Sequence, residues 1–486
     1  MNNKIIILNN KKCQFITEDT TLFNKIRLFL SYKLENAQYS AAYQNGWDGR
    51  TFLMTPKGMF HLGLLKITQE RILELGQGVE VEDRRLPLIK APELDISQKL
   101  ININKVPRDH QIRALEAAIN NQKGIIRMAT GSGKSLVSTL IAAKLNKPTI
   151  VYVIGIDLLQ QFHDLFSSIF DEEIGFIGAG RCEVKRINIC SIWTIGKALN
   201  LKDKEIIEDE EIDKEDFKEE NRLKILNMLK LTKVHMFDEC HTITCNTIKS
   251  IYNEIDPQHI YGFSGTPFRD SGDDLLINGI LGEQIINVSA SELIEKGLLV
   301  QPIIKFVPVP KMKASVANYH SVYKEYIVEN PNRNALILKE TKALVDKGYK
   351  VLVLFKQINH GKILSKLFNN NNINHEMLYG NDNLEKRNEV KEMINEGEID
   401  VILASTIFDI GVDISILNAL VLCSSGKSSI RTLQRIGRVI RSHAAKKFVA
   451  VVEFFDQIKY LKSHSLRRHE IYCSENGFKV YKCKGM

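Results

Sequence analysis

Three short stretches of this chain bring together residue types that could handle a phosphate. The first is MATGSGKS at 128–135. In the run Thr130, Gly131, Ser132, Gly133, the two glycines let the backbone wrap closely around phosphate oxygens and aim N–H groups at them. A following helix N-terminus adds partial positive charge. Lys134 is placed to reach β- and γ-phosphates, and the Ser135 hydroxyl to ligate Mg²⁺. The strict pattern has glycine at the first position, where this chain has Met128.

The second stretch, VHMFDECH at 234–241, reads as an apolar strand ending in two acids, 104 residues after Lys134. Asp238 suits a Mg²⁺ shell, and Glu239 suits orienting and deprotonating an attacking water. Cys240, His241 and Cys245 invite a zinc reading, but three soft ligands without a fourth nearby do not make a tetrahedral site. The third stretch is TLQRIGRVIR at 432–441. Gln434, Arg438 and Arg441 are spaced i, i+4, i+7 and share one helix face. Such a row faces solvent or an anion, and arginines aimed at a γ-phosphate can supply about 10³–10⁵ in rate.

These residues need a scaffold, and the sequence suggests one. Short β-rich runs at 124–128, 149–154, 234–237, 260–263, 351–355, 401–404, 419–423 and 448–455 alternate with helical stretches such as 135–145, 158–166 and 360–368. Most runs are nearly continuous in Val, Ile, Leu and Phe, as parallel strands covered on both faces require. The fold class expected is α/β: two parallel-sheet lobes with a small N-terminal α+β domain. The expected boundaries are 1–95 for that nucleic-acid-binding domain, 96–300 for the first, ATP-binding lobe and 301–456 for the second. The prolines of QPIIKFVPVPKMK read as a linker between lobes, joined near 300–330. Residues 457–486, with seven Lys/Arg against two Glu, read as a basic C-terminal extension.

At 486 residues the chain is too long for one core. No stretch approaches the roughly 18 uncharged apolar residues of a membrane span, and the N-terminus has too short an apolar run for a signal peptide. Eight scattered cysteines without a CxxC pair read as reduced intracellular thiols, so a cytoplasmic protein is expected. The net charge of +8 is uneven: 203–220 holds eleven acids against three lysines, a local −8, leaving +16 elsewhere. A basic body with a separate acidic insertion suggests a polyanion partner, with simple solubility charge as the plainer alternative.

The ordered set MATGSGKS, DECH, SGTP (264–267), STIFDIGVD (405–413) and QRIGRVIR resembles the superfamily-2 helicases and translocases of the DEAD/DEAH-like (here DECH) kind, over roughly 105–456. The resemblance implies that the two parallel-sheet lobes are RecA-like, with ATP and Mg²⁺ as cofactors. It places Arg108 and Gln111 in the adenine-recognising segment, with Gln111 reading the base. Ser264 and Thr266 would couple hydrolysis to lobe movement, and Asp413 would sit near the ribose or the closing cleft. Gln434 would lie at the nucleotide, and Arg438 and Arg441 would be arginine fingers. Segments around 154–161, 191–194 and 356–361 would lie against a nucleic-acid strand. VIGIDLL stands where this superfamily often has a Pro-Thr pair, which leaves open which side chain there touches the phosphodiester backbone.

AAYQNGWDGRTFLM at 41–54, GLLKI at 63–67 and SIWTI around Trp193 are similar to segments of the UvsW family of phage recombination helicases. That likeness implies a DNA substrate that is branched: forks, Holliday junctions, displacement loops and R-loops, in phage recombination, replication and repair. It would place the protein in a bacterial host's cytoplasm, with 3′→5′ movement suggested. Trp47, beside Asp48 and Arg50, could stack on a base or anchor its own small domain. An RNA remodeller, an ATP-switched binding and annealing module, and the motor of a restriction-type nuclease are the competing readings. For the last, no separate nuclease motif is found.

Overall fold

The computed structural model describes residues 3–34, 37–39, 41–201, 219–241, 245–265, 274–311, 318–379, 382, 384–405, 414, 416–424, 436–437, 439–440 and 446–483. Contacts divide the chain into two compact units. The first holds the described residues up to Asn287 except Ala129–Ser132; the second holds Ala129–Ser132 and the described residues from Val288 onward.

In the first unit an eight-stranded sheet runs in the order Arg181–Glu183, Ile174–Gly178, Ile187–Ser191, Thr149–Val153, Val234–Phe237, His259–Ser264, Lys123–Met128, Gln284–Val288. The six strands from Ile174–Gly178 to Lys123–Met128 are parallel neighbours. Their apolar runs are buried at nearly every position, as a sheet covered on both faces demands. Two strands escape a hydrophobic-run reading, Ile174–Gly178 and Ile187–Ser191, because glycines and Asn188 interrupt them. The buried Asn188 is satisfied locally: its Oδ1 accepts from Lys185 N at 2.7 Å and its Nδ2 donates to Lys185 O at 2.6 Å. It fills the space beside Gly175, where a Cβ would lie 2.0 Å from Asn188 Oδ1.

The small N-terminal domain is a four-stranded sheet, ordered Met59–His61, Lys12–Ile16, Lys4–Ile7, Glu80–Asp83. Helices Thr20–Phe29 and Leu65–Glu74 accompany it. Asp19 caps the first helix, accepting from Thr21 N and Leu22 N. This domain is built onto the first lobe. Lys11 Nζ donates to the carbonyls of Asn253 and Ile255, Tyr252 Oη donates to Lys11 O, and Lys66 pairs with Glu283 at 3.0 Å. At Gly63 the backbones come so close that a Cβ would meet Asn278 O at 2.1 Å.

The second unit carries a seven-stranded sheet in the order His375–Leu378, Val401–Ser405, Val351–Phe355, Ala419–Leu422, Val449–Phe455, Pro302–Pro308, Lys479–Tyr481. Its neighbours are all parallel. Two sequence expectations change here. The proline-bearing stretch expected to link the lobes is a sheet strand, paired with Val449–Phe455 over its whole length, with Ile304, Phe306 and Val307 buried. Its two prolines stand at the first and last positions, where the loss of an N–H is tolerated. The expected basic extension also folds into this sheet rather than trailing from it: helix Leu461–Cys473 packs on it and Lys479–Tyr481 forms its edge. One of the tail's arginines, Arg468, is buried against Glu453 at 3.0 Å, and Tyr472 Oη donates to the same carboxylate at 2.6 Å. Of the acidic insertion, Glu219 and Glu220 open helix Glu219–Leu231; residues 203–218 lie outside the described residues. Among the described residues no helix is long and apolar enough to cross a membrane.

Candidate nucleotide site

Strand Lys123–Met128 ends where the loop begins, and helix Lys134–Leu145 starts where it ends. Gly131 and Gly133 both have φ of 85°, a left-handed conformation that costs other residues roughly 1–2 kcal/mol. Ser132 N donates to Ala129 O at 3.1 Å, closing the turn, and the N–H groups of Leu136 and Val137 bond back to Gly133 O. Met128, the departure from the glycine pattern, is the last strand residue and is wholly buried, so its side chain belongs to the core rather than to the phosphate cradle. Gln111 is brought against this loop: a Cβ at Gly133 would meet its amide nitrogen at 2.3 Å. The other end of the amide is fixed, with Gln111 Oε1 accepting from Arg108 N at 2.9 Å. The Arg108 side chain is exposed.

Asp238 and Glu239 follow the strand Val234–Phe237 at its C-terminal end, the edge where open α/β sheets bind ligands. Asp238 N donates to Tyr152 O at 2.9 Å, which pins the carboxylate's backbone to the neighbouring strand. The Asp238 carboxyl is buried, and burial pushes it up to about 7 despite the nearby Lys134 ammonium. Among the described residues its Oδ1 is buried without a hydrogen-bond partner. A carboxyl oxygen so placed fits a hard divalent cation such as Mg²⁺, whose charge would favour the ionised form. Glu239 sits at φ 46°, a strained conformation of the kind found at functional sites. Its carboxylate forms an ion pair with Lys134 Nζ. Burial alone would lower the Lys134 ammonium, but Glu239 and Asp238 outweigh it and hold it above its ordinary value.

His241 extends this arrangement to the next strand. Its Nδ1 lies 2.6 Å from Ser264 Oγ and 3.4 Å from Glu239 Oε2. One imidazole therefore touches both the acid at the end of Val234–Phe237 and the hydroxyl at the end of His259–Ser264. Cys240 packs in the core.

In the second unit, Ile436, Val439 and Ile440 of the TLQRIGRVIR stretch are buried, and Val300 N donates to Ile440 O at 2.7 Å. At Gly437 a Cβ would lie 2.5 Å from the side chain of Thr130, which clusters with this same unit. Thr266, Asp413, Gln434, Arg438 and Arg441 lie outside the described residues. The segments expected against nucleic acid are mixed. Ile156, Lys356 and Ile358 are exposed, whereas Trp193 is core and His360 is buried, bonded to Asn334 Oδ1 at 2.9 Å. Trp47 is half-buried and its ring N–H donates to Arg50 O at 2.8 Å, so it closes its own turn. Sequence reasoning missed the Lys134–Glu239 pair, which joins residues 105 positions apart, and the link from His241 to Glu239, because His241 beside two cysteines reads locally only as a zinc ligand.

Two family models match this architecture in tandem: "Type III restriction enzyme, res subunit" over residues 104–269 and "Helicase conserved C-terminal domain" over 332–443. The chain belongs to the superfamily-2 helicases, a class of ATP-dependent enzymes built on two such lobes. Among individual relatives it is similar to the ATP-dependent DNA helicase uvsW of Enterobacteria phage T4, at 25% identity over 94% of both chains. It is also similar to a helicase of a Sulfolobus islandicus filamentous virus, at 27% identity over 70% of this chain and 62% of that longer protein. Among solved structures, S. cerevisiae Dbp5 bound to RNA and ADP BeF3 shares the fold, with a TM-score of 0.55 and 14% identity over 81% of this chain and 94% of that one.

Proposed function

We propose that the protein is an ATP-driven DNA motor that unwinds or branch-migrates branched DNA such as forks, Holliday junctions, displacement loops and R-loops. The observation that carries the motor is the convergence of Lys134, Asp238 and Glu239 at one sheet edge beside a glycine loop that opens a helix. The preference for DNA is supported by the likeness to a phage DNA helicase, which runs through the N-terminal domain as well as both lobes.

In this reading ATP enters by breaking the Lys134–Glu239 pair. The ammonium turns to the β- and γ-phosphates, the N–H groups of Thr130–Gly133 cradle them, and Gln111 with Arg108 recognises the adenine. Glu239, released, takes a proton from water as the water oxygen attacks the γ-phosphorus. The bond to the β–γ bridging oxygen breaks and ADP is the leaving group. Mg²⁺, held by Ser135 and Asp238, would neutralise charge on the phosphate oxygens. Arg438 and Arg441 would supply positive charge from the second lobe, with Gln434 and Asp413 completing the nucleotide's surroundings. Losing the γ-phosphate alters the contact of His241 with Glu239, and through Ser264 the second strand end senses it. Breaking a duplex step costs about 1.4 kcal/mol of stacking, a cost that branch migration offsets by re-pairing behind the junction.

The test is ATP hydrolysis against a matched panel of single strand, blunt duplex, fork, four-way junction, R-loop and RNA. The expected result is strongest stimulation by forks and junctions, lost in Lys134→Ala, with Glu239→Gln binding ATP but slowed by about 10²–10⁴. Stimulation by RNA alone would move the protein to the RNA remodellers. Strand separation at the wild-type rate by Glu239→Gln would leave only an ATP-switched binding module.

A further inference from the structure

Beyond the nucleotide site, the C-terminal edge of the second sheet carries an aromatic cluster that the motor chemistry does not use. Strand Val351–Phe355 ends at the exposed Lys356, and Val449–Phe455 leads through Asp456 to Tyr460. Helix Tyr319–Tyr323 runs into a single π-helical turn, Lys324–Val328, a rare element that recurs at functional sites. Tyr319 is the hub: its ring centroid lies 6.3 Å from Tyr460 at 84°, 5.6 Å from His464 and 6.0 Å from Tyr323. Two ammonium groups complete the set, Lys459 Nζ at 5.1 Å from the Tyr460 ring and Lys356 Nζ at 6.0 Å from the Tyr323 ring.

The floor of this cluster is rigid. Val322, Tyr323, Tyr326, Ile327, Val328, Ile458 and Leu461 form a buried core beneath it. Arg333 anchors the edge, its Nε 2.8 Å from Asp456 Oδ1 and its Nη1 donating to Cys423 O at 2.9 Å. Tyr460 itself is held unusually. Leu461 N donates to Lys459 O at 2.9 Å, and Tyr460 has φ 67° and ψ −52°. That is a γ-turn of the rarer, positive-φ kind, strained for a residue with a side chain. The strained turn holds a tyrosine 36% exposed and edge-on to Tyr319, which itself packs against the apolar floor, near the sheet edge where parallel α/β folds bind ligands. Acids are also present, Glu325 on the π-helical turn and Glu329 at its C-terminal cap, and Lys324 pairs with Glu329 at 3.7 Å. Lys356 and Lys459 are exposed beside the rings, and Lys462 is exposed on helix Leu461–Cys473.

We propose that Tyr460, backed by Tyr319 and flanked by Lys459 and Lys356, is a stacking station for one nucleic-acid strand on the second lobe. The aromatic face takes a base and the ammonium groups take the adjoining phosphates. This inference rests on the reading of the chain as a nucleic-acid motor; Lys356 belongs to a segment already expected against the strand, and Tyr460, Tyr319 and Lys459 add contacts outside those segments. Aromatic platforms with flanking cations suit single strands, because every base has a π-face and every linkage a phosphate. A paired duplex hides its base faces, so the station discriminates for an unpaired strand.

The test uses the full chain and fluorescein-labelled 20-mers of oligo(dT) and oligo(U), with a blunt 20-base-pair duplex, read by anisotropy across a salt series. Tyr460→Ala should weaken single-strand binding about 5- to 150-fold, the loss of one stacked base at about 1.4 kcal/mol per tenfold, and duplex binding much less. Tyr460→Phe, which keeps the ring, should stay within about twofold. Lys459→Ala should reduce the magnitude of the log–log salt slope by about 0.7. The oligo(dT) and oligo(U) arms show which sugar the station accepts; a loss in either supports it. Wild-type affinity in Tyr460→Ala on both strands would overturn the proposal, as would equal losses in Tyr460→Ala and Tyr460→Phe. Should Tyr460→Ala fail to fold, an unchanged salt slope in Lys459→Ala overturns it instead. If the wild-type chain binds none of the three probes and its ATPase ignores nucleic acid, the motor reading fails too, an outcome separate from failure of the station alone.

Discussion

Replacing Gly63 by alanine tests whether the N-terminal domain is a built part of the first lobe. The new Cβ would stand 2.1 Å from Asn278 O and 2.6 Å from Gly279 O, both main-chain atoms of helix Asp274–Leu281. Neither can swing away as a side chain would. To reach the 3.0 Å below which real Cβ atoms are essentially never found, the two backbones must part by about 0.9 Å. The neighbours resist that movement: Leu64 is fully buried, Lys66 is paired with Glu283, and Lys11 holds two carbonyls of the lobe. Overpacking of this kind costs about 1–3 kcal/mol. For a unit of this size that is a fall in melting temperature of about 2 to 12 °C. Gly78→Ala is the control, since a Cβ there meets nothing within 4 Å and its φ is not left-handed. It should be neutral or slightly stabilising. Calorimetry reads the melting shift, and hydrogen exchange at 62–64 and 274–281 locates it. A Gly63→Ala protein that melts like the wild type, with unchanged exchange at both segments, would refute the close docking from which the argument starts.

Three further outcomes are expected. His235 and His360 are buried and pushed down to about 3 by burial, one in each lobe. Their unfolded forms take up a proton below about 6.5 while the folded forms do not, so stability is full above that pH and falls as pH drops toward 3. At pH 5 the loss is about 2 kcal/mol for each, and a flat stability profile between pH 7 and 5 in chemical denaturation would contradict it. Arg468→Ala leaves Glu453 as a buried, uncompensated charge and should cost about 3–5 kcal/mol in the second lobe. Truncation after Gln457 should accordingly lower the melting temperature as well as DNA affinity, and a truncated chain of wild-type stability would show that the helix and edge strand are dispensable. His241→Ala removes the bridge between Glu239 and Ser264. It should reduce strand separation per ATP consumed more than it reduces ATPase itself, measured by coupled assays on a fork; a parallel loss in both would place His241 in hydrolysis alone.

The sequence by itself determined the class and singled out most of the residues of the candidate nucleotide site. Gly131, Gly133, Lys134 and the Asp238–Glu239 pair are readable because phosphate chemistry demands those types at close spacing, and the fully apolar strands are readable because burial on two faces leaves no polar position. Tertiary structure decided what no local pattern encodes. Whether Pro302–Pro308 is linker or strand depends on the strands at 449–455 and 479–481 that accept its hydrogen bonds. Whether Arg468 is surface charge or buried ion pair depends on Glu453, on a strand that ends before the tail begins. Asn188 is tolerable in a core strand only because Gly175 leaves it room. Trp47, whose neighbours suggest a platform, closes its own turn, while Tyr460, hidden in a basic tail, is partly exposed in a strained turn. For Pro302–Pro308, Arg468 and Asn188 the role was set by a partner brought in from elsewhere in the chain. Pairing across the fold, unlike spacing along the chain, exists only once the sheets have formed.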